Sequence, residues 1–374
     1  MAKASKRIYV LLSNDLFTDQ RVHKVCMYLV SKGFEPYLLG RELESSKPID
    51  NRPYQHKRFK LWFNKGALFY ANLNIRLFTF LLFKKTPWIL ANDLDTLPAG
   101  YFISKLHRKT RLVYDTHEFY TGVPELMNRP GVRRIWEAIE GIIFPRLSKI
   151  YTVNSSIANK YLSLYGKKLE VLRNVAPLNE SFQTPLLQEL GIDSDDFIVL
   201  LQGAGINVDR GGEELVAAMK RVEGAKLLIL GDGDAIPTIK EYVEKEGLGE
   251  KVLFGPKMAY QDMMNWTHFA KIGCSLDKPD NPNYEMSLPN KVFDYLQAET
   301  PVLASPVKEI KALLDEYPFG VCISKVEPEI IADALNELIK NPSILEQYKE
   351  NCKRFKQTLT WEEEVKVLDK IYVD

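Results

Sequence analysis

Short apolar segments alternate with amphipathic segments along almost the whole chain, and this alternation runs through two successive series. The first series opens with RIYVLLS, and the next segment, DQRVHKVCMYLVSKG, has apolar residues at helical spacing and a glycine stop. Strands that alternate with helices are typical of a parallel sheet covered by helices. The later strands predicted in this series are EPYLLG, PWILAND, TRLVYDTHE and KIYTVNSS.

The same pattern begins again after residue 196, beyond the polar and proline-containing segment 173–196. A chain of 374 residues is too long for one ordinary hydrophobic core, so two domains are expected. The sequence therefore predicts an α/β protein with two parallel sheets, each covered by helices on both faces. The second series contains the strands FIVLLQGAG, AKLLILGDGD, KVLFG, KIGCSLD, PVLAS and GVCIS, with helices at GEELVAAMKRV and from about residue 290.

A last helix is predicted at TWEEEVKVLDKIY, after the second series of strands. A long helix in that place can cross back to the first domain. The predicted division is therefore 1–178 for the first domain, 179–356 for the second, and 357–374 for the returning helix.

Composition excludes several classes of protein. The net charge of +1 gives no reason to expect nucleic acid, and we predict no such partner. Four widely spaced cysteines without a C-x-x-C pair exclude a cysteine-rich zinc site and fit reduced thiols in a cytoplasm. The N-terminus has only five apolar residues in a row, too few for a secretory signal, and no run reaches the ~20 apolar residues of a membrane span. These features predict a cytoplasmic protein.

Residues 52–85 have an unusual charge balance. Between Asp50 and Asp93 there is no acidic residue, whereas eight basic residues are interleaved with many aromatic ones. This composition is typical of a segment on an anionic membrane surface, and it predicts a peripheral position at the inner face of the membrane. A buried helix at 67–83, flanked by solvated lysines, explains the same composition, because Leu77–Phe83 looks core-like all round.

Ligands of doubly wound sheets bind beyond the carboxyl ends of the strands, so the polar residues that follow each strand are candidates for a site. Thr18 and Asp19 can cap the first long helix, whose N-terminus attracts anions, and Arg21 lies one turn further on. We interpret these three residues as an anion-binding helix start. A capping box with a surface arginine is the alternative.

Two further clusters follow strands of the first series. Asp93 and Asp95 form a D-x-D pattern, which binds a divalent metal in some transferases, although Asp95 and Thr96 could equally cap a helix. His117, followed by Glu118, is placed to hydrogen-bond a substrate near neutral pH. A buried histidine satisfied by the backbone is the alternative interpretation.

The second series contains a strand, a glycine-rich turn and a helix in QGAGINVDRGGEELVAAM. This order suits a phosphate cradled by backbone N–H groups, and Gly203-x-Gly205 alone is a weak pattern. Arg210 strengthens it, because a guanidinium binds phosphate oxygens bidentately while Gly211 and Gly212 allow close approach. The later turn GDGD lacks the order of a dinucleotide fold.

The segment SLPNKVFDYL places a lysine in the first turn of a predicted helix, where a cation is disfavoured. Lys291, with Ser287 and Asn290 beside it, would suit a diphosphate that approaches this helix end. Asp294 lies three residues on and is available to accept hydrogen bonds from paired hydroxyls such as those of a ribose. The alternative is a helix N-cap with Lys291 solvated and Asp294 paired to it.

Five segments together give a resemblance that runs over nearly the whole chain. With these segments the chain resembles the retaining glycosyltransferases of family four, and in particular a bacterial subgroup that makes surface polysaccharides. The resemblance implies the GT-B fold, in which two Rossmann-like domains face each other and a nucleotide sugar binds in the cleft. The segments are NDLFTDQRVHK, ANDLDTLP, YDTHEFY, QGAGINVDRGGEELVAAM and SLPNKVFDYLQAETPVLAS.

The resemblance also implies roles for single residues. Arg210 occupies the place of a basic residue that neutralises the donor phosphates, and Lys291 replaces a second one that the glycine turn lacks. Asp294 matches the residue that binds the ribose, and His117 matches the histidine that touches the transferred sugar. Glu285 lies near the position of a donor-sugar contact but one residue too far from Asp294. The donor side then comprises Gly203, Gly205, Asn207, Gly211, Glu285, Ser287, Asn290 and Asp294, and the acceptor and phosphate side comprises Thr18, Asp19, Arg21, Asp93, Asp95 and Glu118.

The implied enzyme is a retaining hexosyltransferase of class EC 2.4 that needs neither metal nor cofactor. Its donor is a UDP or GDP sugar, and its acceptor is a glycan or a lipid-linked molecule. Fixed cations meet the charge of the leaving diphosphate, and retention proceeds by front-face attack. Two other functions fit the sequence: a GT-B-like sugar-nucleotide epimerase using Glu118 and Asp95, and a catalytically degenerate membrane-surface binding protein.

Overall fold

The computed structural model describes residues 6–49, 51–280 and 282–373. The chain divides into two compact units. The first contains the chain up to Arg173 and the segment from Val365 onward, and the second is Asn174–Glu364. The sequence predicted these boundaries after residues 178 and 356, and the two units instead divide after residues 173 and 364.

The first unit contains a seven-stranded sheet in which every neighbouring pair is parallel. Its strand order is β3-β2-β1-β4-β5-β6-β7. The strands are β1 (Arg7–Asp15), β2 (Glu35–Glu42), β3 (Gln55–Lys60), β4 (Trp88–Asn92), β5 (Arg111–Thr116), β6 (Lys149–Thr152) and β7 (Glu170–Val171).

Helices connect most of these strands, as is usual in a parallel sheet, whereas the described residues between β2 and β3 contain no helix. The helices are α1 (Gln20–Ser31), α2 (Gly66–Leu82), α3 (Leu97–Leu106), α4 (Pro124–Met127), α5 (Pro130–Ile143) and α6 (Ser155–Tyr165). On α2, Phe69, Leu73, Leu77 and Leu81 recur every fourth residue and form one buried stripe. This stripe packs with α3 in a core cluster that also contains sheet residues of β1, β2 and β4.

The second unit contains a six-stranded parallel sheet of order β10-β9-β8-β11-β12-β13. The strands are β8 (Ile198–Gly203), β9 (Lys226–Gly231), β10 (Val252–Gly255), β11 (Ile272–Ser275), β12 (Val302–Ala304) and β13 (Gly320–Cys322). The helices are α7 (Gly212–Ala218), α8 (Ile236–Lys245), α9 (Tyr260–Phe269), α10 (Pro282–Glu285), α11 (Asn290–Gln297), α12 (Lys308–Glu316), α13 (Pro328–Lys340), α14 (Pro342–Phe355) and α15 (Trp361–Glu364).

Both faces of the second sheet are buried. Along β8, Val199 and Leu201 belong to one core cluster, whereas Ile198 and Leu200 belong to another. Successive residues of a strand point to opposite faces, so an uninterrupted apolar strand needs helices on both sides. The continuous apolar run IVLL therefore correctly predicted a central strand of a sheet covered on two faces.

The end of the chain differs in detail from the prediction. The single helix predicted over 360–372 consists of α15, a 3-10 turn (Val365–Leu368) and α16 (Asp369–Tyr372). Tyr372 packs its ring against Phe34 and Trp88, with ring centroids 5.8 and 5.6 Å apart. The chain thus returns to the first unit, as predicted.

Two strands were not predicted. In β3 the sequence is QHKRFK, and Phe59 is its one buried residue, which is typical of an exposed edge strand. In β7 there are only two residues, too few for a pattern. Within the ranges that the structure describes, no helix combines the length and apolar character needed to cross a bilayer.

Candidate functional site

The first unit brings several predicted residues together where β4 and β5 end. Asp93 follows β4 with φ 61°, a left-handed conformation that aspartate tolerates better than most residues. Its N–H donates to the carbonyl of Asp115 at 2.9 Å, and its Oδ1 accepts from the backbone N–H of His117 at 3.0 Å. Asp93 therefore joins the two strand ends.

His117 lies between two carboxylates. Its Nδ1 is 3.3 Å from Asp93 Oδ2, and its Nε2 is 3.1 Å from Asp115 Oδ2. Burial alone would lower the pKa of His117, but Asp93 and Asp115 outweigh it and raise the pKa to about 10. The imidazole is thus charged at neutral pH. The alternative of a ring satisfied by the backbone is therefore wrong, because both ring nitrogens face carboxylates, and the contact of His117 with a substrate stays a prediction.

Arg21 is buried and faces inward. Its Nε and Nη2 donate to the two oxygens of Asp115 at 3.1 and 3.0 Å, and its Nη1 donates to the carbonyl of Leu172 at 3.0 Å. Burial raises the pKa of Asp115, but Arg21 and His117 together lower it below its usual value. The prediction that Arg21 adds charge to an anion-binding helix start is therefore corrected: Asp115 already neutralises it.

Of the two predicted caps of α1, Thr18 and Asp19, only Asp19 caps the helix. Asp19 is the N-cap residue, and its Oδ1 accepts from the N–H of Val22 at 2.8 Å. Thr18 is exposed and donates from its hydroxyl to the carbonyl of Asp15 at 3.3 Å. Thr18 therefore closes the preceding turn instead of capping the helix.

Asp95 is buried beyond β4, and its Oδ1 has no hydrogen-bond partner within the described part of the chain. Burial, and after it the charge of Asp93, raises the pKa of Asp95 to about 7. Thr96 occupies the N-cap position of α3 without a side-chain cap bond, so the predicted cap is not formed. Glu118 is partly buried, and its carbonyl accepts from the hydroxyl of Thr116 at 2.8 Å.

The D-x-D pattern is not assembled into a larger acidic cluster. Among residues 6–49, 51–280 and 282–373, no group of three His, Cys, Asp or Glu side chains has the arrangement of a metal site. Near Asp93, the carboxylate of Asp115 instead forms ion pairs with His117 and with Arg21.

In the second unit, the glycine turn after β8 is held by the turn after β9. Ile206 donates its N–H to the carbonyl of Asp232 at 2.9 Å, and Asp232 donates to the carbonyl of Gly203 at 3.2 Å. Gly231 has φ 138°, and a Cβ there would lie 1.8 Å from the oxygen of Gly203. The turn GDGD therefore supports the first turn by close backbone contact.

Asn207 and the residues around it continue this contact. The side-chain oxygen of Asn207 accepts from the N–H of Asp234 at 3.2 Å, and the N–H of Val208 donates to Asp234 Oδ1 at 3.0 Å. Gly205 lies partly exposed between these bonds and β8. Asn207, predicted to face the donor, thus also fixes one turn to the other.

Arg210 and Asp277 form an ion pair. Arg210 Nη1 is 3.3 Å from Asp277 Oδ2, and its guanidinium lies 4.8 Å from the ring centroid of Tyr284. The position of Arg210 depends on Gly211, whose φ is 73° and whose Cβ would lie 2.3 Å from the oxygen of Leu276. Asp277 is fully buried, and its Oδ1 has no hydrogen-bond partner among the described residues.

Lys291 lies in the first turn of α11 and is only 9% exposed. Its Nζ is 3.9 Å from the position that a Cβ would take at Gly203. Burial lowers the pKa of Lys291, Asp277 raises it and Arg210 lowers it further. The alternative of a solvated lysine is therefore wrong, and Lys291 points at the glycine turn beside Arg210 and Asp277.

The other donor-side candidates surround Lys291. The Oγ of Ser287 is buried without a hydrogen-bond partner in the described ranges, whereas Asn290 and Glu285 are exposed. Asp294 Oδ1 accepts from the hydroxyl of Tyr260 at 2.6 Å. Asp294 also favours the charged form of Lys291, though less strongly than Asp277 does.

The sequence interpretation missed Asp115 and Asp277. Both carboxylates are fully buried, and each binds an arginine. Each also lies at the carboxyl end of a predicted apolar strand, LVYD and KIGCSLD. The same rule that selected Asp93 and His117 could therefore have found them.

Comparison with known proteins agrees with this architecture. Residues 183–355 match the family model described as "Glycosyl transferases group 1". The D-inositol 3-phosphate glycosyltransferase of Xylanimonas cellulosilytica is 21% identical over 212 residues, which cover 55% of this chain and 49% of that protein. The chain spans about half the length of the curated relatives it matches.

Solved structures match over a larger share of the chain. Sucrose-phosphate synthase from Thermosynechococcus elongatus has a TM-score of 0.77 at 18% identity and covers 98% of both chains. Anabaena HepE, solved in complex with UDP-glucose, has a TM-score of 0.73 at 16% identity, also over 98% of both chains. The chain therefore has the GT-B fold of two Rossmann-like domains, and residues 183–355 are similar to the group 1 glycosyl transferases.

Proposed function

We propose that this protein transfers a sugar from a nucleoside-diphosphate sugar to a glycan or lipid-linked acceptor, with retention of configuration at the transferred carbon. The observation that supports it best is the pair of cations in the second unit: Arg210 pairs with the buried Asp277, and the buried Lys291 points at the glycine turn, with its charge favoured by Asp277. In the implied pathway the product is a surface polysaccharide, made at the cytoplasmic face of a membrane.

The charge balance of that cluster favours a diphosphate. Removing a lysine from water is costly unless an opposite charge compensates it. Asp277 and, more weakly, Asp294 favour the charged form of Lys291, but burial outweighs them and lowers its pKa, so the charge of Lys291 stays under-compensated. An anion of high charge that reaches the glycine turn would complete the pairing.

Our choice of uridine as the donor base rests on the comparisons with known proteins and not on a contact in this structure. HepE binds UDP-glucose and UDP, which supports a uridine diphosphate sugar here. Asp294, whose Oδ1 accepts from the hydroxyl of Tyr260 at 2.6 Å, is the carboxylate that we place against the paired hydroxyls of a ribose, because a carboxylate accepts hydrogen bonds.

The reaction we propose is a front-face displacement. The bond between the anomeric carbon and the diphosphate oxygen breaks, and Arg210 and Lys291 stabilise the charge that develops on the leaving group. The acceptor hydroxyl attacks from the same face and gives its proton to the departing diphosphate. In the first unit, the charged His117 and the carboxylates around it provide the fixed charges on the acceptor side.

The proposal is tested by donor binding and by product analysis. A panel of UDP and GDP sugars is screened for a rise in melting temperature, since a ligand that binds only the folded protein stabilises it. Turnover with the stabilising donor is then measured for Arg210→Ala, which we expect to lower kcat ~10²–10³-fold at saturating donor. The control is Arg221→Ala, which removes an exposed arginine 3.6 Å from Glu329 in the same unit.

Three results would contradict the proposal. One is normal turnover of Arg210→Ala at saturating donor. Another is inversion at the anomeric carbon, measured by NMR of the first-formed product. A change in the nucleotide sugar without acceptor would indicate the epimerase instead.

A further inference from the structure

We propose that the outer face of α2 and α3 docks on an anionic lipid bilayer, with one acyl chain entering the groove between the two helices. The docking face consists of exposed apolar residues of these helices and of the residue that follows α2. Its members are Leu68, Ile75, Phe83, Phe102 and Leu106. This surface belongs to the first unit, whereas the proposed phosphate-binding cluster belongs to the second, and its binding can be measured without any donor.

Helix α2 is apolar on two opposite sides. One side is the buried stripe that packs on the sheet, and the other exposes Leu68, Ile75 and, just beyond the helix end, Phe83 at 86%. Arg76 is the one charged residue between Gly66 and Leu82. A helix that is apolar all round is normally buried on all sides, so its exposed side requires a second apolar environment.

The groove between α2 and α3 has a volume of about 440 Å³. Its walls include Ile75 and Phe78 from α2 and Ala99, Phe102 and Leu106 from α3. Two wall residues are polar: Lys105 is exposed, and Asn74 is already engaged, because its amide donates to the carbonyls of Tyr70 and Asp95 and accepts from the N–H of Ala99. The groove therefore offers apolar contacts to a ligand and no free amide group, which suits a hydrocarbon chain.

Basic residues surround one end of the docking face. Both helices run antiparallel to the strands, so their last residues lie together at the amino edge of the sheet. Five exposed cations lie in the last turn of α3 or just after the two helices: Lys84, Lys85, Lys105, Arg108 and Lys109. Residues 51–114 contain twelve basic residues and only two acidic ones, Asp93 and Asp95, which lie at the opposite edge.

An anionic bilayer fits this combination better than a second copy of the chain. In a symmetric dimer the same patch meets itself, and this patch has no acidic residue to set against the five cations. A bilayer with anionic headgroups instead places negative charge around the basic rim and hydrocarbon against the apolar residues. The structure thus extends the candidate membrane segment from 52–85 to α3, while residues of 52–85 such as Phe59 and Phe69 are buried in the core.

Vesicle flotation tests the charge. Wild-type protein is mixed with vesicles of phosphatidylcholine alone or with phosphatidylglycerol, and we expect recovery only with the anionic vesicles at low salt. The variant Lys84→Gln/Lys105→Gln/Lys109→Gln should bind about fivefold more weakly for each lysine removed, as expected for basic residues near an anionic surface. Lys257→Gln/Lys325→Gln/Lys340→Gln, which removes three lysines of the second unit, is the matched control and should float like wild type.

Tryptophan quenching tests the insertion. Trp62 is 77% exposed, whereas Trp88, Trp136, Trp266 and Trp361 are 6–8% exposed. Trp62 lies against α2, since its backbone N–H donates to the side-chain oxygen of Asn72 and its ring stacks on Arg76. Vesicles with brominated acyl chains should therefore quench wild-type fluorescence, and Trp62→Phe should remove that quenching.

Phe83→Ser/Phe102→Ser should weaken anionic-vesicle binding several-fold, and Leu186→Ser, an equally exposed site of the second unit, should not. Equal recovery with both kinds of vesicle, or no recovery with either, would overturn the proposal. The same holds if brominated chains leave Trp62 unquenched. A wild-type dimer that dissociates in Phe83→Ser/Phe102→Ser would show that a second copy covers this face instead.

Discussion

The most informative single change in the first unit is Asp115→Asn. Asp115 is fully buried at the end of β5 and is the carboxylate shared by Arg21 and His117. Asparagine keeps the size of the side chain but removes its negative charge. The arginine would then remain buried with one carbonyl, that of Leu172, as its oxygen partner besides the new amide.

The magnitude follows from the cost of an unpaired buried charge. Removing one partner of a buried ion pair typically costs about 3–5 kcal/mol, and we expect about 3 kcal/mol here because the amide oxygen still accepts one hydrogen bond. That is a large part of the 5–15 kcal/mol by which domains are normally stable. For a unit of this size it corresponds to a fall of about 6–12 °C in melting temperature.

Urea unfolding followed by circular dichroism measures this loss, with Glu35→Gln as the control. Arg7 binds Glu35 with two nitrogens at 3.0 and 3.2 Å, but this pair is solvent-exposed and should contribute less than about 1 kcal/mol. The folded pKa of Asp115 is lowered from 3.8, so its stabilisation is present above pH 3.8 and is lost as the pH falls through the folded value. Equal losses for Asp115→Asn and Glu35→Gln at pH 7 would refute this account of the buried pair.

Three more predictions address the sites. Asp277→Asn should lower the pKa of Lys291 further and shift the alkaline limb of the kcat profile to lower pH; an unchanged profile would count against the pairing. Gly231→Ala should abolish donor binding by titration calorimetry, because its Cβ meets Gly203, whereas Gly249→Ala, with open space around it, should bind normally. Asp95→Asn should be more stable than wild type, because ionising the buried carboxyl is costly. The difference in unfolding free energy should grow by about 1.4 kcal/mol per pH unit between pH 3.8 and about 7. A difference that stays constant with pH in urea unfolding would exclude the raised pKa of Asp95.

Periodicity predicted the fold well because burial dictates it. The central strands are continuous apolar runs such as IVLL, and sheets covered on both faces permit no other composition there. Edge strands lack this constraint. In β3 a single buried residue, Phe59, was not enough to distinguish the strand from a loop.

The candidate site could be predicted only in outline. Strand-end position selected His117, Arg210 and Lys291, since it follows from topology alone. The partners of these residues come from other strands or helices far away in the chain: Arg21 meets Asp115, and Arg210 meets Asp277. No local pattern encodes such a pairing. The sequence therefore identified Arg21 as a cation but not the carboxylate that neutralises it.

The two units differ in how their buried charges are compensated, and this difference assigns the diphosphate to one of them. In the first unit, Arg21 and His117 face Asp93 and Asp115, so two cations meet two carboxylates. In the second unit, Arg210 pairs with Asp277, and the charge of Lys291 stays under-compensated although Asp277 and, more weakly, Asp294 favour it. A negatively charged leaving group lowers the electrostatic cost of the second cluster, whereas in the first it would compete with carboxylates already bound. At the strand ends of the first unit, the helix cap at Asp19 and the inward Arg21 leave no comparable uncompensated cation among the described residues, so we propose that the donor phosphates bind at the glycine turn of the second unit.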